Sequence, residues 1–172
     1  MGRFTSLRYS RARGIIGCLD SARPLGYTGG MAYALREFRI EDYDEAVALW
    51  KESEGIGLSE ADSSRMIAAF LARNPGTCFV AAGEDGRLLG AILAGSDGRR
   101  GYLHHLAVAR DRRGEGIGSA LVARSLAVLA GSGIRRCHIF VMADNEPGRR
   151  FWERIGWRER TSLVIMSRDI GP

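Results

Sequence analysis

Arg112-Arg113-Gly114-Glu115-Gly116-Ile117-Gly118-Ser119 sets three glycines and two arginines within eight residues. A short apolar run, Leu103 to Val108, precedes it, and a helical pattern begins near Gly118, so the segment reads as strand, glycine-rich turn and helix start. In that setting backbone N–H groups converge with the helix dipole behind them and no Cβ atoms in the way, which favours a phosphate or pyrophosphate. A Walker A loop needs Gly-Lys-Ser/Thr, but the only lysine of the chain is the distant Lys51. A dinucleotide fingerprint counted from Gly114 and Gly116 needs a third glycine where Ser119 stands. What remains is Arg-x-x-Gly-x-Gly at Arg113, Gly116 and Gly118. Taken alone, the glycine cluster is equally well a tight turn that uses glycine for positive φ.

Working outward, Tyr33 to Phe38 reads as a first strand, and Asp42 to Glu52 as a helix with Tyr43, Ala46, Val47 and Trp50 on one face. A second helix, Ser59 to Ala72, carries Met66, Ile67, Phe70 and Leu71 as core and stops at Asn74-Pro75-Gly76. Thr77 to Ala82 and Arg87 to Ala94 form a hairpin around Glu84-Asp85-Gly86, and the turn at Asp97 to Gly101 leads into the strand Tyr102 to Val108. A helix from Gly118 to Ala130 follows, then a strand from Arg135 to Ala143. A short helix with Asn145 as cap and Pro147 in its first turn ends at Gly156, and Trp157 to Ile170 reads as one or two more strands. The order is β-α-α-β-β-β-α-β-α-β(-β), a mixed α/β sheet with helices on both faces. Its glycine turn lies at the carboxyl end of a strand, where ligands of open α/β sheets bind.

With 172 residues, 45% hydrophobic and 26% charged, the chain suits one domain with a sizeable core. The net charge of +5 is uneven: residues 1–30 hold five arginines against Asp20, and the remainder is nearly neutral. No nucleic-acid groove follows from that balance. Residues 1–30 read as a disordered basic extension, with Met31 an alternative start and 31–172 the folded domain. The Ile15-Ile16-Gly17-Cys18 box has Arg13 and Gly14 directly before it, which leaves no apolar core for a signal peptide. Cys18, Cys78 and Cys137 form no C-x-x-C pair, so reduced thiols in a cytoplasmic protein are expected, with no metal site and no membrane span.

The chain from Ala32 to Ile170 resembles the GCN5-related N-acetyltransferases. Arg113-x-x-Gly116-x-Gly118 matches that family's acetyl-CoA pyrophosphate motif, and Leu106-Ala107-Val108 matches the strand before it. Asn145 with Phe151-Trp152-Glu153-Arg154-Ile155-Gly156-Trp157 is similar to the family's Asn…Phe-Tyr-Glu-x-x-Gly-Phe segment. Asp97 to Tyr102 resembles a subset of small bacterial members of unassigned substrate. The resemblance implies a mostly antiparallel sheet of six to seven strands and acetyl-CoA as the acyl donor. It also implies that Arg113, Gly114, Glu115, Gly116, Ile117, Gly118 and Ser119 hold the pyrophosphate. Leu106, Ala107 and Val108 would hold the pantetheine arm as it enters between splayed strands, with Asn145, Phe151 and Trp152 lining its exit. A homodimer through the last strands is a further expectation.

Acetyl transfer to an amine needs a polarised thioester carbonyl, a base for the amine proton and a route for protonating the thiolate. A backbone N–H near Val108 is the expected polarising group. His104 and His105 are the candidate bases, and strict alternation sends them to opposite faces, with His104 beside Tyr102, Leu106 and Val108. Both also read as hydrogen-bonded structural histidines. Trp152 stands where many family members have a tyrosine acid, and an indole N–H cannot serve. Tyr102 or water is the substitute, or the thiolate leaves unaided. The expected activity is direct acetyl transfer to a small-molecule or protein amine; the alternative is a degenerate acyl-CoA-binding or sensing protein. Glu52, Glu54, Glu60 and Asp62 read either as attractors of a cationic acceptor or as solvated helix ends.

Overall fold

A computed structural model describes residues 33–170; the basic arm expected over residues 1–30 lies outside them. Five strands, β1 (Tyr33–Glu37), β2 (Phe79–Gly83), β3 (Leu88–Ser96), β4 (Gly101–Val108) and β5 (Cys137–Ile139), lie in sequence order across one sheet. The helices are α1 (Tyr43–Lys51), α2 (Ser64–Arg73), α3 (Ile117–Gly131) and α4 (Glu146–Arg154).

Local turn chemistry builds the antiparallel part. Gly86, at φ +83°, closes the β2–β3 hairpin with its N–H on the Gly83 carbonyl at 3.0 Å. At the β3–β4 hairpin the Asp97 carboxylate accepts the N–H groups of Arg99 and Arg100 at 2.8 and 2.7 Å. β1 pairs antiparallel with β2, and only the β4–β5 pair, connected through α3, is parallel. Arg36 grips Asp42 with two bonds of 2.6 Å while the Arg39 N–H caps the same carboxylate at 2.9 Å, which fixes where β1 ends and α1 begins.

Helices cover both faces of the sheet. Trp50, Ala46 and Ile67 of α1 and α2 pack on Val80, Ala91, Leu93 and Ala107. On the other face Leu121, Val122 and Leu129 of α3 meet Phe79, Ile92 and Leu103, with Trp152 of α4 beside them. Central β3 is buried from Leu88 to Gly95, so its sequence is a continuous apolar run. Gly90 has a packing reason: a Cβ there would stand 3.0 Å from both the Ala107 carbonyl and a Leu121 methyl.

Two expectations fail. The sheet of the described residues has five strands instead of six to seven, because Trp157 to Ile170 forms none. β5 is confined to Cys137–Ile139 instead of Arg135 to Ala143. The two are related: β5 leaves β4 after three residues and presents too short an edge to register another strand. The tail is held at its root, where the Trp157 N–H meets the Trp152 carbonyl at 3.0 Å, and then runs with Val164 and Met166 exposed.

Leu121 is fully buried where α3 meets the sheet. Leu121→Ala should cost about 2–5 kcal/mol in denaturant unfolding; a loss below ~0.5 kcal/mol, the scale of a surface change, would refute this packing.

Candidate active site

The β4–β5 ladder runs only from Gly101–Cys137 to Leu103–Ile139, although β4 continues to Val108. Beyond Leu103 that edge has no neighbouring strand among the described residues. The Ala109 N–H bonds the Leu89 carbonyl on β3 at 2.9 Å. Alternation therefore turns the main-chain groups of Val108, and of Leu106 two residues earlier, toward the open side. There they border a groove of about 920 Å³.

The glycine turn forms the end of this groove. Gly114 and Gly116 sit at φ +85° and +83°, in the left-handed region that costs an L-residue roughly 1–2 kcal/mol. Gly116 is the residue before α3, and no side chain caps that helix, so its first-turn N–H groups are left for an anion. Gly118 lets α4 approach: a Cβ there would lie 3.3 Å from the Phe151 ring. Arg113 lines the groove and donates from Nε to the Val108 carbonyl at 3.3 Å. Arg112, buried, instead clasps Glu115 through bonds of 2.8–3.0 Å.

On the far wall Asn145 Oδ1 accepts the Gly148 N–H at 2.9 Å and caps α4. Its Nδ2 reaches the Glu54 carbonyl at 3.5 Å, bringing the 53–57 loop across the groove. Phe151, Trp152 and Trp157 stack edge to face at centroid distances of 5.0–5.1 Å. Of the cofactor residues read from sequence, Leu106, Ala107, Val108, Arg113, Gly114, Gly116, Ile117, Gly118, Ser119, Asn145, Phe151 and Trp152 all line this one groove. Glu115 does not line it, and neither does Tyr102, which stacks between His104 and His138.

Strict alternation along β4 does not hold. Between Ala91–Ala107 and Leu93–His104 the partner strand advances two residues while β4 advances three, a bulge at His105 and Leu106. His105 takes φ +50°, the only non-glycine residue in that region among those described. The expected opposition of the two histidines is thereby cancelled, and both turn toward α1 and α2. His104 also loses the face shared with Leu106 and Val108, which now pack with the α3 side.

The two imidazoles differ in their partners. His105 Nε2 lies 2.6 Å from Asp62 Oδ1, and its ring packs against buried Trp50 at 5.0 Å. Burial pushes the Asp62 carboxyl up, but hydrogen bonds from His105 and from the Ser59 N–H outweigh it and leave the group below its usual value. His104 packs on Tyr102 and edge-on to Phe70 and has no hydrogen bond among the described residues. Burial first, and then the neighbouring charge of His105, hold its pKa below the ordinary 6.5. His104 is therefore mostly neutral at pH 7, with the one basic lone pair of its imidazole uncommitted.

Both histidines line the groove and also a second cavity of about 310 Å³ on the α2 side, with Asp62, Phe70 and Arg73. Of the four acids read as possible attractors, Asp62 lines this cavity and Glu54 the groove; Glu52 and Glu60 line neither. The Asp62–His105 pair was not legible in the sequence: Ser59-x-x-Asp62 signals a cap, which it also forms, and the histidine is 43 residues away.

A strand edge left open beside an uncapped glycine turn offers amide partners and an anion site along one groove, and comparison with known proteins identifies the family. The family model described as Acetyltransferase (GNAT) family matches residues 33–157, and the chain belongs to that family. Acetyltransferase SG1711 of Sodalis glossinidius (strain morsitans) is 28% identical over 136 residues, covering 79% of this chain and 94% of that protein. Among solved structures, a PaiA N-acetyltransferase from Thermoplasma acidophilum in complex with coenzyme A has a TM-score of 0.65 at 20% identity, covering 74% of this chain and 91% of that one. AAC(6')-Iy in complex with a bisubstrate analogue has a TM-score of 0.64 at 18% identity, covering 81% and 99%. At these identities the structural likeness is one of fold.

A histidine harder to protonate in the folded than in the unfolded chain withdraws stability as pH falls below 6.5 toward its folded value. Stability should decline over that interval, and His104→Gln should flatten the decline; a His104 resonance titrating at or above 6.5 would contradict the assigned environment.

Proposed function

We propose that the protein transfers the acetyl group of acetyl-CoA to a primary amine by direct attack, with the donor in the groove and His104 as the base. The observation that carries this reading is the position of His104, mostly neutral and without a hydrogen-bond partner among the described residues, lining both the groove and the second cavity. The Leu106 main chain and the Val108 N–H face the groove like an unfilled strand position, and an extended pantetheine arm with its own amides supplies such a partner. The pyrophosphate would then meet the first-turn N–H groups of α3, with Arg113 adding charge.

In the reaction the amine nitrogen forms a bond to the thioester carbonyl carbon while the Val108 N–H stabilises the developing oxyanion. His104 accepts the proton that the amine loses, and collapse of the tetrahedral intermediate breaks the C–S bond. A thiolate is a fair leaving group, with a parent thiol pKa of about 8.5. This scheme assigns no side chain to its protonation. Trp152 contributes packing: it is buried between Phe151 and Trp157 and supports the groove wall.

Gly116→Asp places a carboxylate and a strained backbone in the anion cradle and should weaken acetyl-CoA binding at least about tenfold by calorimetry, with folding checked by circular dichroism. Unchanged affinity would refute the cradle. His104→Gln should lower kcat by about 10²–10⁴-fold, the scale of general-base catalysis, while acetyl-CoA affinity is retained. The wild-type acid limb of kcat/KM should fall below pH 6.5, because His104 in the free enzyme titrates there. A variant with full turnover would remove His104 from the chemistry.

A further inference from the structure

The second cavity has a chemical polarity that the proposed reaction does not by itself require. Its walls are apolar, built by Met66, Ile67 and Phe70 of α2 and Leu93 of β3. Met66 is 42% exposed, although the sequence pattern makes it core; its side chain borders open volume. Asp62 lies just before the N-terminus of α2 and Arg73 is the last residue of that helix, one helical turn beyond Phe70, while His104 packs edge-on to Phe70 and His105 joins Asp62 in the lining. Arg73, an exposed residue that lines the cavity, has no carboxylate within ion-pair distance among the described residues. It sets a cation beside apolar walls, where an anion entering the cavity can reach it.

The acidic end is already satisfied. Asp62 Oδ1 is engaged by His105 at 2.6 Å, and Oδ2 accepts the Ser59 N–H at 2.8 Å and lies 3.3 Å from the Ser59 hydroxyl. A polycationic acceptor would find one committed carboxylate and would bring a charge toward Arg73. A volume of about 310 Å³ is at the low end of small-molecule sites, which span roughly 300–1,000 Å³, and suits one ring or a short chain.

We propose that this cavity is the acceptor site and that the acceptor is a small molecule with a primary amine and an anionic group at opposite ends of a short apolar body. The amine meets His104, the body lies along Phe70, Ile67 and Leu93, and the anion pairs with Arg73. The inference rests on the acetyl-transfer reading above, since that reading places the nucleophile at His104. Of the two readings of the acids around the site, it leaves out the one in which they attract a cationic acceptor.

The test uses the full chain, acetyl-CoA and thiol release with three amines: 4-(aminomethyl)benzoate, benzylamine and spermidine. The proposal predicts kcat/KM for 4-(aminomethyl)benzoate about tenfold or more above both others, the scale of a charge-assisted arginine–carboxylate contact. Arg73→Ala should bring its ratio to benzylamine near unity, and Arg73→Lys should restore part of it. Calorimetry with the product, 4-(acetamidomethyl)benzoate, reads the same contact without turnover and should show affinity lost in Arg73→Ala. Spermidine as the best acceptor, or a ratio indifferent to Arg73, overturns the acceptor class and leaves acetyl transfer standing. Acetyl-CoA binding with no thiol released for any amine overturns both.

Discussion

The parting of β4 from β5 after Leu103 and Ile139 is the constraint on which the site depends. Main-chain N–H and C=O groups at a sheet edge are a template for another strand, and leaving them without partners in a partly buried wall is costly. Here the edge is kept open by its surroundings. α3 crosses between the two strands, the glycine turn sets its N-terminus against the carboxyl end of β4, and α4 packs close enough for Phe151 to sit over Gly118. One opening thereby gains two chemically different walls, a strand edge suited to an amide chain and a helix terminus suited to an anion. The donor proposed for this groove would use both along its length.

The bulge in β4 adds the chemistry. By inserting one residue it turns His104 and His105 to the same side and leaves Leu106 and Val108 packed against α3. His105 holds the left-handed backbone position and is tied to Asp62 at 2.6 Å, and so to the turn that begins the α2 region. His104 is left with aromatic neighbours and no hydrogen bond among the described residues. Burial first, and then the neighbouring His105, lower the pKa of His104 from its ordinary value. Two adjacent residues of one type thus receive unequal environments, one tethered and one free to accept a proton.

How much of this the sequence disclosed follows from which interactions are local. The hairpin turns at Gly86 and Asp97, the cap at Asn145 and the glycine turn before α3 are set within a few residues of themselves, and their positions agree with the pattern of the chain, whereas the helix expected from Ser59 begins only at Ser64, after a 3-10 turn. The family motifs brought twelve expected lining residues to one groove. The bulge was not legible, because it is a mismatch between two strands and leaves no mark on β4 alone. Glu115 falls inside the motif, yet Arg112 three residues back holds its side chain. In the tail, apolar Leu163 to Met166 suggest a strand, but a strand needs an edge, and β5 provides only three residues.

Amide hydrogen exchange along β4 tests the open edge most directly. In the free protein the Leu106 and Val108 amides face the groove without a partner strand and should exchange fast relative to Ala107, whose alternation points it at β3. Saturating acetyl-CoA should slow Leu106 and Val108 strongly and leave Ala107 little changed. Exchange at Leu106 and Val108 indifferent to bound acetyl-CoA would contradict the account that this edge holds the donor as an added strand.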